Sequence, residues 1–305
     1  MPHSHTGSST RKDELEIVVP AYGTSPLLAE TIGSLVDVVP EDVTITVQDD
    51  ASPGPEVRDI ATEWAPRVGY RRLEHNLGIS GAFTEAARLA HADFVVLVGP
   101  DDRGVPGMVD VYRDAIAQFP AAAAIHPGVG VIDGDGARVT PLTDRVKSLL
   151  RPRHGVLAGE ALAVRLLAGN WTYNPAIAWR SSFVAADGFD TGLHTAMDLD
   201  LLLRLAFSGA SLALVDGIAL EYRRHGGAVS SVNAGVKRLT EELEIHRRAG
   251  EVARGLGWRR AAAMATAAPT ARLHGLLLAR ELPAGERRAL VDVALSRHDD
   301  ESSAP

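Results

Sequence analysis

The stretch DFVVLVGPDDRG, residues 93–104, decides how the chain is read. A short, continuous run of apolar and β-branched residues ends in Gly-Pro, the pattern of a buried strand that stops abruptly. Two carboxylates, Asp101 and Asp102, follow at once. Carboxylates at the mouth of a buried strand are costly unless something binds them. The pair therefore raises two questions: what it holds, and why a glycine, Gly99, stands just before it.

Working outward, LEIVVP (15–20) and VTITVQ (43–48) are strands of the same kind. Between them, PLLAETIGSLVDVV (26–39) sets Leu27, Leu28, Ile32, Leu35 and Val36 on one helical face. PEVRDIATEWA (55–65) and GISGAFTEAARLAHA (78–92) give two further helices. Strand alternating with helix from residue 15 to about 120 predicts a parallel sheet covered on both faces. Ligands of such sheets sit beyond the carboxyl ends of the strands. Three strands end there in polar residues: PAYG (20–23), QDDASPG (48–54) and GPDDRG (99–104). Residues 121–155 are less regular. NPAIAWRSSF (174–183) then reads as a strand entering a helix, and GLHTAMDLDLLLRLAFSG (192–209) as a helix. SLALVDGIALEYRRHGG (211–227) reads as one or two strands and a turn. From about 233 the chain becomes helical and Ala/Arg-rich, with apolar stripes such as Leu239, Leu243 and Val252.

Composition excludes several classes. The 305 residues, 46% hydrophobic and 23% charged, are ordinary globular material and suit one large domain with a smaller appendage. A net charge of −8 argues against a nucleic-acid binder. Cysteine is absent, which removes disulfides and thiolate metal sites. The opening MPHSHTGSSTRK lacks the apolar core of a signal peptide and reads as a flexible leader. The most apolar run, AAAMATAAPTARLHGLLLA (261–279), is interrupted by Pro269, Arg272 and His274, so no transmembrane segment is expected. The chain reads as cytoplasmic, with a peripheral place at the inner face of a membrane as the alternative.

The order VVPAYG, VQDDASPG, NLGISGAFTEAA, VVLVGPDD, NPAIAWRSSFVAADGFD, MDLDLLLRLAFSG and YRRHGGAVS resembles the family-2 glycosyltransferases over residues 15–231. The resemblance implies the α/β GT-A fold, a Rossmann-like, mostly parallel sheet flanked by helices, with a C-terminal helical appendage. Composition, outside the match, gives disordered tails at 1–13 and 299–305 and a helical region at 232–298; the resemblance implies a catalytic domain at 14–231. It also implies an activity: transfer of a sugar, with inversion, from a nucleotide-diphosphate donor to the hydroxyl of a saccharide, lipid-linked or natural-product acceptor. The cofactor it implies is a divalent metal ion, Mg²⁺ or Mn²⁺. Nucleic acid is not an expected partner; three readings of the C-terminal helices stay open, namely that they complete the acceptor site, support the catalytic domain or make a homodimer.

Residue by residue, the resemblance lays Pro20, Ala21 and Tyr22 along the nucleobase. It gives Asp50 the base-reading role, with Asp49 as runner-up; a uracil or thymine imide N–H needs an acceptor once buried. The bland alternative is a polar turn made by Asp50 and Ser52. Asn76, Gly78 and Gly81 would carry the chain past the ribose and diphosphate. Many relatives have an Arg-Asn pair where this chain has Phe83 and Thr84. The family's usual run of acid, small residue, acid, acid is here Gly99-Pro100-Asp101-Asp102. Asp101 is then the metal ligand and Asp102 a close second, on oxygen chemistry that suits hard cations. The alternative is a turn in which one of them caps a helix beginning near Val105.

Asp198 aligns with the family's catalytic base. Helical geometry turns Asp200 away from it, and Asp200 and Arg204, four apart with the acid first, should pair. The alternative for Asp198 is an acid that complements the helix dipole. Arg223 or Arg224 would meet the diphosphate, and His225 would donate to phosphate or ligate the metal. Ser230 falls where a flexible lid is expected. Asn170, Trp171 and Tyr173 would line the acceptor pocket, with core packing the alternative for Trp171 and Trp179. His75, His126 and His154 receive no role. Two other functions stay open: a catalytically idle nucleotide-sugar-binding relative, argued by Gly99, and a nucleotidyltransferase, for which PAYGTSP lacks the basic residues.

Overall fold

A computed structural model describes residues 14–24, 26–225, 236–279 and 284–295. The expected tails and the Ser230 loop lie outside the described residues. The strands read from LEIVVP, VTITVQ and DFVVLVG form as β1 (Leu15–Ala21), β2 (Thr44–Asp49) and β4 (Phe94–Leu97). β3 (Val68–Arg72) is an edge strand whose Arg71 and Arg72 keep it from reading as an apolar run. These four strands are parallel, in the order β3-β2-β1-β4. α1 (Leu28–Val38), α2 (Glu56–Thr62) and α3 (Gly78–Leu89) connect them.

Alternation along β1 and β4 divides the core cleanly. Ile17, Val19, Phe94 and Val96 face one cluster, with α1, α2 and α4 (Met108–Gln118). Val18, Val95 and Leu97 face the other, as the two-residue period of a strand requires. Pro20 costs no ladder bond to β4, because that pairing has already ended at Val18 and Leu97.

Beyond β4 the sheet becomes mixed. β8 (Ala178–Arg180) runs antiparallel to β4 and to β6 (Ala124–Ile132), and β6 is parallel to the long β9 (Ser211–Arg223). Short β5 (Arg103–Gly104) and β7 (Gly155–Ala158) pair antiparallel to β9. β6 lies inside the stretch that reads as irregular. Its Pro127 and Gly128 break the apolar run, and the register shifts at those residues. The candidate strand or strands at 211–227 are one strand.

α5 (Leu142–Leu150) follows β6, and on the second face lie α6 (Gly159–Ala168), α7 (Ser181–Asp187) and α8 (Met197–Phe207), with Trp171 and Trp179 fully buried among them. The C-terminal region is helical, as expected: α9 (Val236–Gly255), α10 (Arg259–Ala267), α11 (Pro269–Ala279) and α12 (Ala284–Leu295). Leu239 and Leu243 join a small core there, whereas Val252 is exposed and leaves the predicted stripe. Among the described residues, no helix is long and apolar enough to cross a membrane.

Candidate active site

Three neighbouring parallel strands deliver their carboxyl ends to one rim. At the tip of β1, Ala21 O accepts from Asp50 N at 2.9 Å, and Tyr22 stands 58% exposed beside them, an aromatic plane open to a ligand. Gly23 N donates to Ser52 Oγ at 3.0 Å, tying the two tips together.

The adjacent acids of β2 part company. Asp49 is fully buried; Tyr70 OH, Arg72 and Ser52 N all donate to its carboxylate, at 2.7, 2.5 and 2.8 Å. Burial pushes its pKa up, but the hydrogen bonds from Ser52, Tyr70 and Arg72 outweigh that and hold it below the usual carboxylate range. Asp49 is thus a brace for the strand tip, which removes it as runner-up reader of the base. Asp50 Oδ1 accepts one backbone hydrogen bond, from Leu77 N at 2.8 Å. Burial raises its pKa, and a carboxylate has acceptor positions beyond the one used. The polar-turn reading fits Ser52 better than Asp50.

Leu77 opens α3. Asn76 Oδ1 accepts from Gly78 N at 3.0 Å, and Gly78 adopts a left-handed φ of 68°. A Cβ there would meet nothing within 4 Å, so backbone conformation rather than close packing explains Gly78. Gly81 does pack closely: a Cβ would lie 2.7 Å from Leu77 Cβ. Phe83 and Thr84, in place of the common pair, turn to structure. Phe83 packs edge-on against Phe189, and Thr84 Oγ1 accepts from Phe189 N at 2.9 Å.

The acid pair after β4 answers the question raised by Gly99. Asp102 is buried, and its Oδ1 accepts from Arg223 N at 2.9 Å while Oδ2 has no partner. Burial and the neighbouring charge of Asp101 push its pKa well above the usual range. Asp101 Oδ2 sits 2.8 Å from His225 Nε2. A Cβ on Gly99 would lie 2.7 Å from Asp102 Oδ2 and 2.8 Å from Asp101 Oδ1. Both carboxylates occupy the space a lead acid would need. Gly99→Val is therefore expected to lower stability by about 1–3 kcal/mol through overpacking, read as a lower urea midpoint at unchanged slope. An unchanged midpoint would mean that the pair yields freely. The helix-cap alternative does not hold, because α4 begins at Met108 and neither acid caps it.

Arg223 does not reach for a ligand. Its side chain is almost wholly buried, donates to Asp101 O, Asp133 O and Gly134 O, and pairs with Glu30. It braces the acid loop, which corrects its expected place on the diphosphate. Arg224 is likewise committed, bidentate to Asp144 at 2.6 and 2.7 Å. His225 and Asp101, with Asp102, are the residues that could hold a cation: two hard carboxylates and an imidazole, one oxygen of them orphaned. Among the described residues no group of three His, Asp or Glu side chains is arranged to hold a metal ion by itself.

Asp198 stands in the first turn of α8. Its Oδ2 accepts from Asn170 Nδ2 at 3.1 Å, with Thr172 Oγ1 at 3.4 Å. Asn170 Oδ1 accepts from Thr172 N and Oγ1, which fixes the amide so that its NH₂ faces Asp198. Asn170 therefore orients the acid, a role not foreseen for it. Asp200 pairs with Arg204 at 2.9 Å as expected, leaving Asp198 clear of that bridge. Trp171 is fully buried, with its ring edge-on to His126, and offers no face to a sugar on the Asp198 side.

Contacts join these groups into one rim. Ser80 of α3 donates to Leu193 O and lies 3.0 Å from Met197 Sδ, so the end of α3 that bonds Asp50 abuts the start of α8. From Asp198 the chain of contacts runs through Thr172 to Tyr173, whose OH donates to Asp144, the partner of Arg224 beside His225. Tyr173, expected at the acceptor pocket, instead links Thr172 to Asp144; sequence reading missed Thr172 and Asp144, whose only signals were a place next to Asn170 and a place opposite an arginine.

The family described as glycosyl transferase family 2 matches residues 16–155. No curated protein matches the chain by sequence. Among solved structures, TarS of S. aureus in complex with UDP-GlcNAc is 15% identical, covering 92% of this chain and 79% of that one at a TM-score of 0.69. A mannosyltransferase of Pyrobaculum calidifontis in complex with GDP-Man and Mn²⁺ is 18% identical, covering 93% and 86% at 0.60. The family match runs through the strand tips that carry Asp50 and Asp101, on a fold shared with two sugar transferases: residues 16–155 resemble glycosyl transferase family 2, and the protein is a glycosyltransferase.

Proposed function

We propose that the protein is an inverting glycosyltransferase that takes a sugar from a nucleotide diphosphate, UDP or dTDP, with help from Mg²⁺ or Mn²⁺. The observation that carries this reading is the partnerless Asp102 oxygen, buried beside Asp101 at the tip of β4. Such a group is destabilising alone and suits a cation shared with a diphosphate. The UDP-GlcNAc and the GDP-Man and Mn²⁺ bound by the two similar structures support the same chemistry.

In this reading Tyr22 flanks the base and Asp50 accepts from its imide N–H. Asp101, Asp102 and His225 would hold the cation, which supplies charge stabilisation to the departing diphosphate. Asp198, held by Asn170, takes the proton of the acceptor hydroxyl as that oxygen attacks the anomeric carbon from the side opposite the diphosphate. A carboxylate suffices if the proton leaves while the anomeric C–O bond breaks. Against the idle-relative reading, which rests on Gly99, stand the retained Asp101, Asp198 and His225.

A thermal-shift panel of UDP-, dTDP- and GDP-sugars with and without Mn²⁺ tests the proposal. UDP- or dTDP-sugars with Mn²⁺ should raise Tm, by an amount equivalent to about 2.7 kcal/mol at a hundred times Kd. Response to GDP-sugars alone would remove the role of Asp50. No response to any donor would overturn the reading.

A further inference from the structure

Behind the segment that holds Asp198 lies a cavity of about 280 Å³ that the proposed transfer does not use. Side chains 170–173 alternate: Asn170 and Thr172 turn to Asp198, while Trp171 and Tyr173 line the cavity. Its size is near the lower end of small-molecule sites, ~300–1,000 Å³.

Its lining is short of acceptors. His126 Nδ1, Arg151 Nε and Trp171 Nε1 are all buried without a hydrogen-bond partner. His126 Nε2 accepts from Tyr173 N at 3.0 Å. Burial drives the imidazole down to about 3, so it is neutral and its single proton must sit on Nδ1. The nearby carbonyls of Pro127 and of His126 itself favour a proton on the ring but complete no hydrogen bond with Nδ1. All three orphaned nitrogens are thus N–H donors. Natural interiors rarely leave such donors unmet, and three of them on residues that line one cavity call for an explanation.

Charge points the same way. Lys147 lines the cavity, giving one hydrogen bond to Thr172 O at 2.7 Å and lying 4.2 Å from the Tyr173 ring centroid. Burial pulls its pKa down to about 8, against the opposing pull of the Asp198 and Asp144 carboxylates. Arg151 gives Nη2 to His126 O and Val215 O, neither of them charged. The one carboxylate in the lining, Asp144, is already saturated by Arg224 and Tyr173.

We propose that this cavity binds an oxyanion, a phosphate or carboxylate carried on a sugar-sized body, with the Trp171, His126 and Arg151 N–H groups donating to its oxygens and Lys147 balancing its charge. The site adjoins the rim at Tyr173 and Asp144, on the side of the 170–173 segment away from Asp198. An acidic group on the acceptor and a free small anion share this chemistry.

The test is a titration of the ¹⁵N-labelled full chain without divalent metal, so that the acidic donor rim has no means of holding phosphate. Inorganic phosphate, a hexose phosphate and glucuronate are added in turn, with the Trp171 indole N–H signal assigned by its loss in Trp171→Phe. A saturable shift of that signal is expected, while the indoles of Trp64, Trp179 and Trp258 stay put and report that the fold is intact. Lys147→Gln, on the half-buried rim of the cavity, should weaken binding about tenfold or more. Tighter binding of the sugar-borne anions would assign the cavity to an acidic acceptor, and equal binding to a free anion. A Trp171 signal unmoved by all three, or unchanged affinity in Lys147→Gln, would overturn the proposal. Because no nucleotide or metal is present, failure of the donor reading leaves this result unaffected.

Discussion

Asp198→Asn is expected to retain donor-induced thermal stabilisation and to lose sugar transfer by about 10²–10⁴-fold, the usual worth of a positioned general base. The geometry makes the substitution clean. Asp198 Oδ2 accepts from Asn170 Nδ2, and an amide oxygen can take that hydrogen bond unchanged. The Asp200–Arg204 pair, one turn of the same helix, does not involve Asp198 and should hold α8 in place. What the variant loses is the lone pair that accepts the acceptor's proton. Initial rates of transfer, measured beside donor thermal shifts on the same preparation, separate the two effects. Full activity in the variant would mean that another group is the base; lost donor binding would mean that Asp198 shapes the donor site instead.

The second large effect is expected at Asp102, and it has opposite signs with and without cation. In the fold its pKa stands well above its ordinary value, through burial and the charge of Asp101. The folded state therefore favours the protonated form. Stability contributed by that proton is complete below about pH 4, the unfolded value, and is lost as pH rises through the folded one. Asp102→Asn keeps an acceptor for Arg223 N and never ionises. The metal-free variant should match the wild type near pH 4 and exceed it at pH 8 by about 1–3 kcal/mol, the cost of an unmet buried polar group. With Mn²⁺ the order should reverse, since the wild type gains a ligand and the variant does not. Melting curves at pH 4 and 8 without metal, and at pH 8 with Mn²⁺, read both signs. A variant that loses stability at pH 8 without metal would show that the Asp102 charge is already compensated.

How much of this was legible in the sequence follows physical lines. β1, β2 and β4 are continuous β-branched runs buried on both faces, so they declare themselves. β6 carries Pro127 and Gly128 at a register shift, and its apolar pattern is broken where the strand bends. The sequence presents Asp49 and Asp50 as equals. Successive residues at a strand end point to opposite sides, and only pairing with β3, which brings Tyr70 and Arg72 alongside, decides that Asp49 turns inward. Arg223 and Arg224 show the same limit: charge is visible in a sequence, but Glu30 and Asp144, 193 and 80 residues away, are not. Asp200 with Arg204 was legible because the helix itself fixes the pair. His126 and Trp171 could be recognised as a donor wall only once the fold had closed a cavity over them.

The central claim is that the tips of three strands and the start of one helix surround a single nucleotide diphosphate. A crystal structure of the protein with Mn²⁺ and its most stabilising nucleotide diphosphate tests it most directly. The account predicts anomalous Mn²⁺ density between the diphosphate and the Asp101–Asp102 carboxylates, the base against Tyr22 and Asp50, and Asp198 facing the same cleft. Nucleotide bound away from the tips of β1 and β4, or metal on neither carboxylate, would contradict it.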